Sequence, residues 1–183
     1  MKRTFLGLSV IVTSVFLSAI ASAKDFAPDQ YSDDPSACDM VAGNLVMNCG
    51  FETGDFAGWT RSGDPTFTMI DSGSAHSGMF GLDTGPTSDL GFISQILPTG
   101  DQGAMHHISF WLLNLGGTPN RFQVSWEGQI IYDQSDLPQF DYMRFDFDVF
   151  ACGTGSELKF GFLQFPSFFH FDDVVVVRTV DDQ

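Results

Sequence analysis

Asn44–Trp59, NLVMNCGFETGDFAGW, and Phe168–Val177, FFHFDDVVVV, are the two stretches that decide the fold of this 183-residue chain. Each combines a short apolar run, typical of a strand, with a turn or an acidic pair. They indicate the opening and closing strands of a single all-β domain. Because both stretches carry carboxylates, we expect these groups to meet where the two strands lie side by side.

Between these stretches, apolar and polar residues alternate in runs that end at Gly, Pro, Asn or Asp, the pattern of half-buried strands. The alternation is clearest in Tyr142–Phe150, and no amphipathic helix is apparent. About ten short strands without helices predict an antiparallel β-sandwich or jelly roll over residues 44–178. The other predicted strands are Asn44–Met47, Thr66–Asp71, Met79–Leu82, Gly91–Leu97, His107–Leu113, Phe122–Trp126, Gln129–Asp133, Leu158–Gln164 and the closing stretch.

The N-terminal residues Met1–Ala23 have the features of a secretory signal peptide. Lys2 and Arg3 give a basic start, Phe5–Ile20 is apolar, and small residues precede the expected cleavage point. An uncleaved membrane anchor is the alternative, but the apolar run is short for a span. We therefore expect a secreted product, periplasmic or extracellular, that is not inserted in a membrane. An irregular lead-in is expected at 24–43 and a polar tail at 179–183.

The charge of the chain limits its partners. It has 8 Lys and Arg against 23 Asp and Glu, a net charge of −15. The predicted leader contains two of the basic residues and no acidic one, so removing it leaves six against 23, or −17. Such a chain repels phosphates, which argues against nucleic acid or anionic lipid as partners. The acidity can attract calcium, or it can simply keep a secreted protein soluble.

Three cysteines in an oxidising compartment allow one intramolecular disulfide and one leftover thiol. We expect Cys38–Cys49, which would join the lead-in to the first strand and leave Cys152 free and buried. Pairing of Cys49 with Cys152 is the alternative.

The period of the last strand places Asp173 on the same face as Phe169 and Val175. If that face is the core, the carboxylate needs a partner, because an unpaired buried charge is costly. Calcium suits this role, since it binds carboxylates and the backbone carbonyls of turns. Glu52, in the turn after the first strand, would lie nearby. The alternative is that both carboxylates accept backbone hydrogen bonds and hold a turn.

The motif N-L-V-x-N-x-G-F-E-x-G-x-x-x-x-W at Asn44–Trp59, the pair Ser77-Gly78 and the terminal D-D-V resemble the galactose-binding-like jelly rolls. The similarity is greatest to carbohydrate-binding modules of families 4, 9 and 22 and related secreted bacterial domains. The resemblance covers roughly residues 44–178. It implies a β-sandwich with a structural calcium near Glu52 and Asp173, with Asp172 as a substitute ligand. Cys49 departs from the small or polar residue that many relatives have there.

Such modules are expected to bind glycans through aromatic rings, because the C–H face of a sugar is apolar. Trp59 and Trp126 fit the core, whereas Trp111 lies opposite Ile108, Phe110 and Leu112 in its strand. A solvent-facing Trp111 would form a sugar platform, unless it packs under a loop. The residues expected to share the platform are His107, Gln123 and Arg144, and Phe168 marks a second candidate at a loop tip.

The sequence contains no HExxH, GxSxG or Walker motif, and its histidines make no evident chelate. We therefore expect no enzyme. The leading hypothesis is a secreted, non-catalytic carbohydrate-binding protein with a structural calcium. The alternative is an extracellular or envelope domain that contacts protein and binds no sugar. A small hydrolase is a third and weaker possibility, because its motifs are missing.

Overall fold

The computed structural model describes residues 35–179, so the predicted signal peptide, most of the lead-in and nearly all of the polar tail lie outside it. Two short 3₁₀ helices occupy Ala37–Met40 and Ser72–Ser74. The ten strands are β1 Thr60–Gly63, β2 Thr68–Asp71, β3 Gly81–Thr84, β4 Gly91–Leu97, β5 Met105–Asn114, β6 Asn120–Trp126, β7 Gln129–Ser135, β8 Phe140–Phe150, β9 Ser156–Gln164 and β10 Phe169–Arg178. No helix in this part of the chain is long and apolar enough to cross a membrane.

The strands form two five-stranded sheets, which confirms the all-β sandwich. The first sheet has the order β1-β4-β9-β6-β7 and the second has the order β2-β3-β10-β5-β8. Every strand pair is antiparallel. The last strand, β10, therefore lies inside the second sheet, between β3 and β5.

Phenylalanine dominates the core between the sheets. Phe110 of β5 packs against Phe160 of β9 with ring centroids 5.0 Å apart, and Phe160 lies 4.6 Å from Phe171 of β10. Burying one such side chain stabilises the fold by roughly 1.5–3 kcal/mol. The face of β5 predicted to lie opposite Trp111, with Ile108 and Leu112, points into this core, and Trp59 and Trp126 are buried as expected.

The predicted opening strand, Asn44–Met47, is wrong as a strand, although its position is right. The segment is irregular, yet Leu45 donates its backbone N–H to the carbonyl of Val176 on β10. The side chain of Asn44 accepts from Val176 N and donates to Val174 O, so it takes the place of ladder bonds. The ends of the domain do meet. The first strand is instead Thr60–Gly63, a run of four exposed residues that shows no apolar alternation.

The prediction that Asp173 faces the core is also wrong. The register between β10 and β5 shifts between Asp172 and Val175, and Asp173 has a φ of 52°. This β-bulge breaks the period of two, so Val174 and Val176 continue the inner face begun by Phe171. Asp172 pairs with Trp111, on the outer face of the second sheet.

The disulfide joins Cys38 to Cys49, as predicted, with their Cα atoms 6.1 Å apart. It fixes the short helix Ala37–Met40 to the segment that runs beside β10. Cys152 is the free thiol, but it is exposed rather than buried, because it lies in the turn between β8 and β9.

Candidate functional site

Two adjacent carboxylates are buried at the bulge of β10, under the loop that follows the second 3₁₀ helix. Asp172 Oδ2 accepts from the backbone N–H groups of His76 and Ser77 at 2.7 and 3.1 Å. Asp173 accepts from the Ser77 hydroxyl at 2.8 Å and from Cys38 N at 3.2 Å. Burial, followed by the charge of Asp173, raises the pKa of Asp172 to about 8.

Glu52 binds the same loop a few residues further on. Its carboxylate oxygens accept from the backbone N–H groups of Met79 and Phe80 at 2.9 to 3.3 Å. Gly78 makes this approach possible, because a Cβ there would come within 2.2 Å of Glu52 Oε1. The three acids predicted as metal ligands thus clamp one loop, residues 76–80, between the opening segment and β10.

His76 links this clamp to the aromatic platform. Its Nδ1 lies 2.6 Å from Asp173 Oδ2, and its ring is stacked on the indole of Trp111 with centroids 4.0 Å apart. The ring of Tyr142 meets the same imidazole edge-on at 4.9 Å. Trp111 is half-buried, because the loop covers part of its side chain. This agrees with the alternative expectation that Trp111 packs under a loop.

A cavity of about 250 Å³ opens beside Trp111 on the outer face of the second sheet. The strands β5, β8 and β10 form its floor, and the helix held by the disulfide forms one wall. Its lining combines apolar and hydrogen-bonding groups: Ala37, Cys38, Val41, His107, Ser109, Trp111, Arg144, Asp173, Val175 and Val177. We call this group of residues the Trp111 cavity.

Charged side chains continue along the same face. Arg144 Nη2 lies 2.9 Å from Asp146 Oδ1, and His107 contacts Asp146 at 3.0 Å and Asp148 at 2.8 Å. The register explains this row, because Trp111, Ser109 and His107 of β5 pair with Arg144, Asp146 and Asp148 of β8. The outward alternation predicted for β8 is confirmed, and it supplies both donors and acceptors next to an indole.

Three of the five predicted ligand-binding residues therefore meet: Trp111, His107 and Arg144. Gln123 does not join them, because β6 belongs to the first sheet, where its side chain donates to Asp133 at 3.1 Å. Phe168 lies at the turn between β9 and β10 and lines a different cavity. Period-two alternation assigns a residue to one face of its strand but does not show which strands share a sheet. The positions of Gln123 and Phe168 therefore could not be predicted from it.

His76 is the site residue that sequence reasoning missed. It precedes the Ser77-Gly78 pair, and a single histidine in a loop carries no periodic signal. Its position depends on Asp172 and Asp173, which are almost 100 residues away along the chain.

At the far end of the outer face, His170 of β10 lies next to Asp83 of β3. His170 Nε2 is 3.5 Å from Asp83 Oδ1, which is buried and has no hydrogen-bond partner. Burial, with a smaller effect from Asp71, raises the pKa of Asp83 to about 6. These groups do not line the Trp111 cavity.

The comparisons with known proteins rest on structure. No protein-family model and no curated protein matches the sequence. A family 61 carbohydrate-binding module, TmCBM61, solved in complex with β-1,4-galactotriose, superimposes with a TM-score of 0.55 at 19% identity. The match covers 74% of this chain and 99% of that module.

Two xylanase modules give similar matches. The CBM22-1 xylan-binding domain of Paenibacillus barcinonensis Xyn10C has a TM-score of 0.54 at 19% identity, covering 75% of this chain and 96% of that one. The CBM22-1–GH10 modules of Clostridium thermocellum Xyn10B, complexed with xylohexaose, give 0.57 at 17%, covering 77% and 30%. The described part of this chain thus has a β-sandwich fold that resembles carbohydrate-binding modules of families 22 and 61.

Proposed function

We propose that this chain is a secreted, non-catalytic protein that binds a glycan in the Trp111 cavity. The observation that carries the proposal is the position of the half-buried Trp111 indole among hydrogen-bonding side chains in a cavity on the outer face of the second sheet. Fold similarity to carbohydrate-binding modules adds support, although fold alone does not dictate activity. The disulfide and the leader-like N-terminus favour an oxidising compartment.

The chemistry of the cavity suits a neutral sugar chain. An indole offers an apolar surface for the C–H face of a sugar ring. Arg144 and His107 in the lining present planar donors for the hydroxyl groups of a sugar, and Asp146, which pairs with both, adds an acceptor next to the cavity. Because Arg144 and Asp146 are part-exposed and already paired, they select hydroxyls by geometry rather than attract a charged ligand.

Tryptophan fluorescence tests the site. Trp59 and Trp126 are buried in the core, so a ligand that changes the emission or protects it from acrylamide reports on Trp111. We expect β-1,4-galactotriose, xylohexaose or a related neutral oligosaccharide to give a saturable change. Because Trp111 is itself the reporter, the test variant is Arg144→Ala, which keeps the indole and should shift the midpoint of the change to a higher ligand concentration, whereas Ile130→Ala, an exposed site on the first sheet, should retain the wild-type midpoint. A saturable change that persists in Trp111→Ala would place the binding elsewhere.

A second candidate function is protein binding without sugar. Two methionines on either side of the disulfide-linked segment, Met40 and Met47, expose 73% and 63% of their surface. Flexible apolar side chains of this kind suit protein contacts. Protein binding would be favoured over sugar binding if no glycan binds and if Met40→Ser and Met47→Ser weaken capture of a protein from the native secretome.

A structural calcium at Glu52, Asp172 and Asp173 remains part of the proposal. The donor set suits a hard cation, because it consists of carboxylates that form no ion pair with Lys or Arg among residues 35–179. Each carboxylate oxygen keeps acceptor capacity beyond its present hydrogen bonds. Bound there with turn carbonyls, an ion would offset the charge of the buried pair and tighten the clamp on residues 76–80.

The spacing of these acids sets a limit on such a site. Their oxygens do not form a group of three within 4.8 Å; in the described range the group that does is Cys38, Asp39 and Cys49, and both its cysteines are in the disulfide. An ion would therefore draw more ligands from backbone oxygens than from side chains.

A further inference from the structure

Strand pairing brings an imidazole and two carboxylates together on the outer face of the second sheet, away from the Trp111 cavity. His170 of β10 pairs directly with Asp83 of β3, so their Cβ atoms are close neighbours on one face. Asp71 of β2 pairs with Gly81, two residues before Asp83, and is therefore a diagonal neighbour of Asp83. The register alone thus places three metal-ligating side chains in one small area.

The burial of the adjacent residues confirms that these side chains point outward. Phe169 and Phe171, on either side of His170, are buried in the core, and so is Leu82 next to Asp83. Asp71 is exposed, whereas Ile70 packs against the core. All three groups therefore lie outside the hydrophobic layer between the sheets.

The contact between His170 and Asp83 is not a hydrogen bond. His170 Nε2 lies 3.5 Å from Asp83 Oδ1, and this oxygen is buried without any hydrogen-bond partner. His107, the comparable histidine of β5, contacts Asp148 at 2.8 Å and Asp146 at 3.0 Å. The same sheet face thus contains one histidine that is hydrogen-bonded to its acids and one that is set further apart.

The 3.5 Å separation fits two ligands of one metal ion. Imidazole nitrogen and carboxylate oxygen bind zinc at about 2.0–2.2 Å, so two such ligands in a tetrahedron lie about 3.3 Å apart. An ion that bridges His170 Nε2 and Asp83 Oδ1 would also give the buried oxygen the partner it lacks. Both side chains retain some exposure, 18% for His170 and 17% for Asp83, so an ion can enter from the outer face.

The charges around this pair favour a cation. Within residues 35–179 the Lys and Arg side chains form their ion pairs elsewhere, and none of these pairs includes Asp71 or Asp83. Burial is the main influence on the pKa of Asp83 and on that of His170, and the charge of Asp71 is the next influence on both. Asp71 is therefore close to both groups, and two neighbouring carboxylates without a basic partner repel each other.

His170 is in the protonation state that a metal requires. Burial lowers the pKa of its imidazole, and the opposing effect of Asp71 is smaller, so the ring is neutral at pH 7. A neutral imidazole is the form that binds metal ions. Apolar neighbours flank the pair, because Met69 of β2 pairs with Asp83 and Leu113 of β5 pairs with His170. Such a surround limits the access of water to a bound ion.

From these observations we propose that His170 Nε2 and Asp83 Oδ1, with Asp71 as a third ligand, form a binding site for a divalent transition-metal ion, zinc being the reference ion. A mixed set of imidazole and carboxylate ligands favours zinc over calcium, which prefers oxygen ligands alone. The ligand atoms of all three side chains do not lie within 4.8 Å of one another, so the exposed Asp71 moves toward the pair when the ion binds.

The site is independent of both sites described above. It shares no residue with the Trp111 cavity or with the carboxylates at Glu52, Asp172 and Asp173. A bound ion would join β10 to β3 and to β2, which is an edge strand of its sheet. It would also hold both ends of the segment between β2 and β3, in which His76 lies.

Calorimetric titration of zinc chloride into the untagged, EDTA-treated and dialysed protein tests the site. Calcium is kept in excess, so that the cluster of carboxylates near the domain ends is not available to zinc. We expect one equivalent of zinc to bind. The affinity should fall at least tenfold in His170→Ala and in Asp83→Asn, because loss of even an outer partner of a ligand typically costs about 10- to 100-fold. His107→Ala removes the hydrogen-bonded histidine of the same face and should keep the wild-type affinity.

Long-range ¹H–¹⁵N spectra of the histidine rings identify the ligand in the wild-type protein, whether or not each variant folds. The chain has four histidines, so each imidazole can be followed separately. We expect zinc to shift the Nε2 resonance of His170 and to leave the ring of His107 unchanged.

No zinc binding to the wild-type protein would overturn the proposal. Wild-type affinity in a folded His170→Ala or Asp83→Asn variant would overturn it as well, and so would a zinc-induced shift confined to the other three histidines. None of these results bears on glycan binding, which uses different residues.

Discussion

The imidazole of His76 lies almost parallel to the indole of Trp111, with ring centroids 4.0 Å apart and planes inclined by 15°. The same imidazole contacts the buried carboxylate of Asp173 at 2.6 Å. One loop residue thus connects the acidic clamp at the domain ends to the aromatic ring proposed to meet the ligand. Stability and binding should respond together when it is changed.

Replacing His76 with Ala tests this connection. The variant loses a stacked ring and leaves Asp173 with one partner fewer, so we expect the free energy of unfolding to fall by about 1–2 kcal/mol. Glycan affinity should fall about tenfold, because Trp111 is no longer held. Urea unfolding and calorimetric titration measure the two effects. His170→Ala, which removes a histidine on the outer face of β10 away from the cavity, is the control; equal losses in both variants would contradict the account.

The Cys38–Cys49 bond should stabilise the fold and shape the Trp111 cavity. It closes a loop of 11 residues in sequence separation, which corresponds to about 3 kcal/mol in the chain-entropy description. The helix it holds and the residue that follows it form a wall of the cavity through Ala37, Cys38 and Val41. The Cys38→Ser, Cys49→Ser variant should therefore unfold at lower urea and bind glycan more weakly.

Cys152→Ser serves as the matched control for that variant, because it removes a thiol that takes no part in the disulfide. It should leave both measurements unchanged. Wild-type affinity in the double variant, measured under conditions where it is still folded, would show that the wall does not depend on the bond.

Asp83 should make the fold less stable at neutral pH than at mildly acidic pH. Its pKa is raised to about 6, mainly by burial, against about 3.9 in an unfolded chain. A raised carboxyl pKa contributes stability that is complete below pH 4 and is lost as pH rises through 6. Asp83→Asn should reduce the slope of the pH dependence of unfolding between pH 4 and 6, measured with urea, and the slope that remains comes from Asp172, whose pKa is raised to about 8.

Asp136→Asn is the control for that series, since Asp136 is exposed and its φ of 54° suits Asn equally well. It should retain the wild-type slope. A slope that is unchanged in Asp83→Asn would show that Asp83 does not carry the effect.

Calcium removal should lower the melting temperature if the ion binds at Glu52, Asp172 and Asp173. An ion present at 100 times its dissociation constant stabilises the native state by about 2.7 kcal/mol. We expect EDTA to lower the transition and added calcium to restore it, with magnesium less effective. Glu52→Gln combined with Asp173→Asn should abolish the response, whereas Asp146→Asn should retain it. Equal melting curves with no calcium by elemental analysis would remove the ion from the account.

The sequence predicted most of the architecture because alternation is a local signal. The faces of β5, β8 and β9 follow directly from it. The alternation failed at Asp173, because the bulge moves the residues of β10 that follow it to the opposite face. It also failed at Asn44–Met47, where the side-chain amide of Asn44 takes the place of the backbone hydrogen bonds between paired strands. A bulge depends on backbone conformation, which no period reveals.

The candidate site was predicted only in part for a related reason. Trp111, His107 and Arg144 were assigned to outward positions on strands that prove adjacent. Gln123 and Phe168 were grouped with them without knowledge of which strands share a sheet. His76 comes from a loop and reaches the site through contacts with the distant residues Trp111 and Asp173.

Calorimetric titration of neutral oligosaccharides into the wild-type protein, Trp111→Ala and Ile130→Ala tests the central proposal most directly. The account predicts binding to the sheet face in the wild type and in Ile130→Ala, and a loss of at least about tenfold in Trp111→Ala. Wild-type affinity in Trp111→Ala, or no binding of any glycan to the wild-type protein, would contradict it.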